Sequence, residues 1–154
     1  MTATSVLLPY NFTVQDRKAM QFVIDTFQHR SDVRVTLFHA YTPLPAIDAG
    51  EEIVRSKLQS NLSYLNQKIS EQETAFTAAR QELIQAGFPE TQVAAVFKPR
   101  KKEIAAELLE LNRKEGFDVI VLSHGSHKVT RFFTGSVHNR ILADLEDTTV
   151  CIVS

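Results

Sequence analysis

The sequence lacks several features that would have set its class at once. Among 154 residues there is one cysteine, Cys151, so no disulfide can form within the chain. It sits in the apolar run Val150-Cys151-Ile152-Val153, where a cysteine behaves as a small buried residue rather than a nucleophile. Neither sign of charge dominates: 17 basic and 18 acidic residues leave a net charge of −1. A chain without a basic excess has no general electrostatic grip on nucleic acid. No apolar run approaches the length of a membrane span, and the N-terminus lacks a basic segment followed by a long apolar stretch. The expectation is a cytoplasmic protein with no nucleic-acid and no membrane partner. Glycine and proline are scarce as well, and between Asp48 and Gly87 the only one is Gly50.

What is present reads as an ordinary globule. An apolar fraction of 44% against a charged fraction of 23% is enough to build a core, and the length fits one domain over residues 1–154. Val6-Leu7-Leu8, ended by Pro9, reads as a buried strand. Thr13 is a candidate N-cap, and Asp16 places an acid in the first turn of the helix that follows, where the dipole favours it. Ala19, Phe22, Val23, Thr26 and Phe27 then recur at helical spacing. Further strands are predicted at 33–40, 93–97, 119–122 and 149–153. Between the later ones lie a helix with Ile104, Ala105, Leu108, Leu109 and Leu111 on its apolar side, ended by Gly116, and another with Val137, Ile141 and Leu142. Strand and helix alternate, so the fold class is α/β: an open five-stranded parallel sheet with helices on both faces and an extended second helix.

That second helix comes from the segment poor in glycine and proline. Leu58, Leu62, Leu65, Ile69, Gln72, Phe76, Ala79 and Leu83 follow a seven-residue repeat with one polar interruption. The stripe either lies on the sheet and overhangs it or also packs on a partner subunit; the first is the favoured reading.

Parallel sheets bind ligands at the C-terminal ends of their strands. Gly125, after the fourth strand, and Gly135-Ser136, opening the last helix, form a turn suited to phosphate. Glycine lets the backbone approach a ligand, and a helix N-terminus offers amides and positive dipole. Gly-Ser before a helix is equally an ordinary N-cap. His124, His127 and His138 gather on this loop without a carboxylate or cysteine at metal-ligand spacing, so no metal site is expected. Lys98, Arg100, Lys101 and Lys102 read as a solvated helix start or as neutralisers of a polyphosphate. Thr130 and Arg131 also lie close to the loop. Asp118 and Asp144 show no acid–base pairing, and no nucleophilic triad can be placed.

The stretch "VIVLSHGSHKVTRFFTGSVHNRILADLEDTTVCIV", residues 119–153, resembles the C-terminal signature of universal stress proteins. That signature runs glycine, two residues, glycine, nine residues, then glycine and serine or threonine. Gly125 and Gly135-Ser136 match its second and third elements. "VLLPYNFT" resembles the family's first strand and turn, and "VTLFHAY" its second strand. Leu122 stands in place of the first signature glycine, and Asn11 in place of the usual first-strand aspartate.

The resemblance implies a Rossmann-like fold and an adenine nucleotide, ATP or AMP, with magnesium where ATP binds. By position Pro9, Tyr10, Asn11 and Ala40 would face base and sugar. Val121, Leu122, Gly125, Gly135, Ser136, Val137 and His138 would line the ribose-phosphate side. It further implies a stress sensor or regulator with at most slow, incidental ATP hydrolysis and no catalytic residue. The alternative is a homodimeric stress adaptor with a degenerate glycine loop. In either case a homodimer through the C-terminal edge strand is expected.

Overall fold

The computed structural model describes residues 3–45, 52–124 and 137–154. Five strands, β1 Thr4–Pro9, β2 Val33–Tyr41, β3 Val93–Pro99, β4 Val119–Ser123 and β5 Thr149–Val153, form one sheet in the order β3-β2-β1-β4-β5. Every pairing is parallel, with Val6 beside Val35 on one flank of β1 and beside Val119 on the other. The central strand explains the near-continuous apolar run. Val6, Leu7 and Leu8 are all fully buried, because Val6 and Leu8 enter one core cluster while Leu7 enters the opposite one.

Helices α1, Val14–Phe27, and α2, Glu52–Gln85, cover the first face; α3, Ile104–Glu115, and α4, Val137–Asp144, cover the second. Thr13 caps α1 in an extended conformation and exchanges hydrogen bonds with Asp16, a full capping box. Gly116 ends α3 at φ 69°, the left-handed conformation that glycine adopts without a steric cost, and its N–H donates to the Asn112 carbonyl. Lys98 and Lys102, which read as part of a solvated helix start or as neutralisers of a polyphosphate, are paired with Glu107 and Glu110.

Helix α2 is longer than the sheet can cover. At 34 residues it extends about 51 Å, whereas the nine residues of β2 span about 30 Å. Phe76, Ala79 and Leu83 are buried in the core, while Leu62, Ile69 and Gln72 are half-buried and Leu65 is 37% exposed. The side chain of Leu58 lies outside the described residues. The stripe is therefore a core element only in its last turns.

The consequence is measurable by urea unfolding. Leu83→Ala should cost about 2–5 kcal/mol. Leu65→Ala should change stability by no more than about 0.5 kcal/mol. Equal losses would show that the overhanging turns are also packed in solution.

Candidate functional site

The strand order reverses direction between β1 and β4. From β1 the chain runs outward through β2 to β3, then returns to β4 on the other flank. Helix α1, which follows β1, lies on one face and α4, which follows β4, on the other, so the two strand ends flank the switch point at which open α/β sheets form a ligand crevice. The candidate residues Pro9, Tyr10 and Asn11 lie at the end of β1, and Val121 and Leu122 near the end of β4. Gly125, Gly135 and Ser136 lie outside the described residues, as do His127, Thr130 and Arg131. Val137 and His138 open α4, and their side chains lie outside the described residues too.

The side chains at the strand ends differ in what they can offer. Tyr10 is 5% exposed, Leu122 is 4% and Val121 is fully buried, so only their backbones can meet a ligand. Leu122 projects into the α3/α4 face and packs in the same cluster as Leu7, Phe38, Leu108 and Ile141. Ala40 is half-buried against that cluster. Asn11 is exposed and Pro9 half-buried.

One carboxylate organises the β1–α1 wall. Asp16 is only 5% exposed, and its Oδ2 accepts from the backbone N–H of Asn11 at 2.9 Å, the N–H of Thr13 at 3.2 Å and the Thr13 hydroxyl at 2.7 Å. Its Oδ1 accepts from the Ser123 hydroxyl at 2.6 Å, which ties the first turn of α1 to the last residue of β4. The acid read in the sequence as a first-turn dipole partner thus also joins α1 to β4. Its partner Ser123, 107 positions away, was not among the candidates, and no local pattern could have revealed the link.

The turn between β1 and α1 is held from below by aromatic packing. Phe12 adopts φ 62°, a left-handed conformation that is costly for a residue with a Cβ. Its ring compensates by packing against Tyr10, His39 and Phe76, at 4.8 Å from the His39 ring centre. Phe97 stacks between His39 and Tyr41. His39 is buried, with Nδ1 2.8 Å from the Tyr10 carbonyl, so Nδ1 carries the proton and donates it. Its Nε2 has no hydrogen-bond partner among the described residues.

A second buried carboxylate closes the approach to α3. Glu107 is 1% exposed; its Oε1 accepts from the amides of Lys101 and Lys102 at 2.9 Å, and its Oε2 faces the Lys98 ammonium. Burial alone would raise its pKa, but Lys98 and the two amides outweigh it and hold the carboxyl below its usual range. Among the described residues no cluster of histidine, cysteine and carboxylate could hold a metal. Nor is any described helix long and apolar enough to cross a membrane.

The universal stress protein family model matches residues 3–150, and the chain belongs to that family. Solved structures of the same fold span nearly the whole chain. Universal stress protein UspA from Lactobacillus plantarum superposes with a TM-score of 0.70 at 13% identity, over 100% of this chain and 99% of that one. The universal stress protein from Archaeoglobus fulgidus, in complex with dAMP, gives 0.58 at 15% identity, over 100% and 98%. A universal stress protein family protein from Arabidopsis thaliana with AMP bound gives 0.56 at 16% identity, over 97% and 90%. A comparison with curated proteins returns no match.

His39 gives the site a pH signature. Burial lowers its pKa from the ordinary 6.5, against the opposing pull of the Tyr10 carbonyl and the Asp16 charge. The unfolded chain then binds the proton more readily than the folded one. Stability contributed by the neutral ring is present above pH 6.5 and lost as pH falls below it. Urea unfolding between pH 7 and 5 should therefore show a shallower loss for His39→Asn, whose amide still offers Tyr10 a donor. Identical slopes would remove His39 as the titrating group.

Proposed function

We propose that this universal stress protein binds an adenine nucleotide, ATP or AMP, in the crevice above β1 and β4, and acts as a stress-response sensor or regulator. The observation that carries the reading is the reversal of strand order between β1 and β4, the position at which open α/β sheets take ligands. The dAMP and AMP in two relatives of the same fold support the ligand class. Base and sugar would rest against Pro9, Tyr10, Asn11 and Ala40. The ribose-phosphate portion would follow Val121, Leu122, Gly125, Gly135, Ser136, Val137 and His138, with magnesium accompanying ATP.

The electrostatics of the other helix starts favour that polarity. Amides just ahead of α1 and α3 already donate to Asp16 and Glu107, so a phosphate at either place would meet engaged donors, and at α1 also a carboxylate with no counter-ion among the described residues. The Gly135-Ser136 pair that precedes α4 in the sequence is the candidate anion seat. The reading includes one cytoplasmic domain over residues 1–154 and a homodimer through β5. Of the two sheet edges, β3 ends in Lys98-Pro99, which discourages strand addition. Strand β5 carries neither lysine nor proline, and its Ile152 is 45% exposed.

One observation favours a second reading, a homodimeric adaptor that binds no nucleotide. Leu122 fills core space where the family signature has a glycine. Thermal unfolding separates the two. At about 100 times its dissociation constant, AMP or ATP should stabilise the wild type by roughly 2.7 kcal/mol. Gly135→Val and Ser136→Asp should abolish the shift. No shift with either nucleotide in the wild type would leave the adaptor reading standing. For assembly, Val150→Lys with Ile152→Lys should convert a sedimenting dimer to a folded monomer, and a persistent dimer would exclude the β5 contact.

A further inference from the structure

The crevice wall formed by α1 carries information about which part of a ligand it can face. Ser123 ends β4 and is half-buried, and its hydroxyl lies 2.6 Å from Asp16 Oδ1. A carboxylate only accepts, so the one Ser123 proton is committed to Asp16, and the oxygen keeps only acceptor capacity toward the crevice. Thr13 is in the same state. Its proton goes to Asp16 Oδ2, and its oxygen already accepts from the Asp16 amide. No ion pair to Asp16 exists among the described residues. This wall therefore combines a negative charge with hydroxyl oxygens that have no proton to give. It disfavours phosphate and suits a neutral group that donates a hydrogen bond.

Resting on the nucleotide reading above, we infer that Ser123, held by Asp16, is a specificity-determining residue that accepts a hydrogen bond from a sugar hydroxyl of the bound nucleotide. Asp16 is a positioning residue, because it acts through the proton of Ser123. The pair sets the ligand's direction, with the diol toward β4 and α1 and the phosphate away from them. It also gives the site a preference for ribose over a sugar that lacks the contacted hydroxyl.

The test is calorimetric titration with AMP, 2′-deoxy-AMP and 3′-deoxy-AMP. The wild type should bind AMP roughly three- to tenfold more tightly than at least one deoxy analogue, the range of a single neutral hydrogen bond. In Ser123→Ala that ratio should collapse to within about twofold by weakening AMP, with the affinity for the deoxy analogue unchanged. Asp16→Asn, which leaves the Thr13 cap in place and can donate to Ser123, should also lower the ratio by turning the serine proton outward. Circular dichroism verifies the fold of each variant. AMP binding with the same ratio in wild type and Ser123→Ala would overturn this inference and leave the nucleotide reading intact. An absence of AMP binding to the wild type would overturn both.

Discussion

The buried Asp16 carboxylate is the constraint on which the rest of the candidate site depends. A charge at 5% exposure is tolerable only where donors surround it, and here two backbone amides and two hydroxyls do so. Hydrogen bonds to charged groups contribute about 1.5–3 kcal/mol each, so this cluster outweighs any single exposed ion pair among the described residues. Its geometry matters as much as its strength. Three contacts close the β1–α1 turn and the fourth crosses to β4, so one group ties the β1–α1 turn to the last residue of β4. The left-handed Phe12 lies between the Asn11 and Thr13 amides of this clamp and packs its ring on the aromatic group around His39.

Glu107 repeats the solution on the other face. It too is a buried carboxylate that accepts two amides from the segment ahead of a helix, with Lys98 as counter-ion. Helices α1 and α3 are thereby started by the protein's own acids. The consequence for function is a division of the strand-end surface. An acid-lined wall lies at α1, the amides ahead of α3 are engaged by Glu107 beside Lys98, and the Gly135-Ser136 pair precedes α4 in the sequence. A nucleotide has a matching division, with neutral donors on its sugar and acceptor oxygens on its phosphate.

Much of the fold was legible because its signals are local. Thr13 and Asp16, three residues apart, announce the start of α1, and Gly116 announces the end of α3. Apolar runs bounded by Pro9 or Gly116 mark strands that are buried on both faces. The heptad stripe from Leu58 to Leu83 predicted one long helix, and α2 is continuous across it. Where its cover stops was not legible, since the spacing is the same at Leu65 and at Leu83 and only the reach of the sheet distinguishes them. The site was legible as a place but not as a set of contacts. The link of Ser123 to Asp16 joins positions 107 apart, and that of Lys98 to Glu107 depends on a turn whose path the sequence does not encode by spacing. His39 reads in the sequence as part of a strand end, and only the tertiary structure surrounds it with Phe12, Phe76 and Phe97.

The account's central claim is that an adenine nucleotide occupies the crevice at the strand reversal. A backbone amide NMR titration with AMP tests it most directly. The account predicts saturable shifts at Asn11, Thr13, Tyr41, Ser123, His124 and the first turn of α4, with little change along the exposed turns of α2 from Leu62 to Gln72. Saturable shifts confined to α2, or to the segment from Lys98 to Glu110, would contradict it.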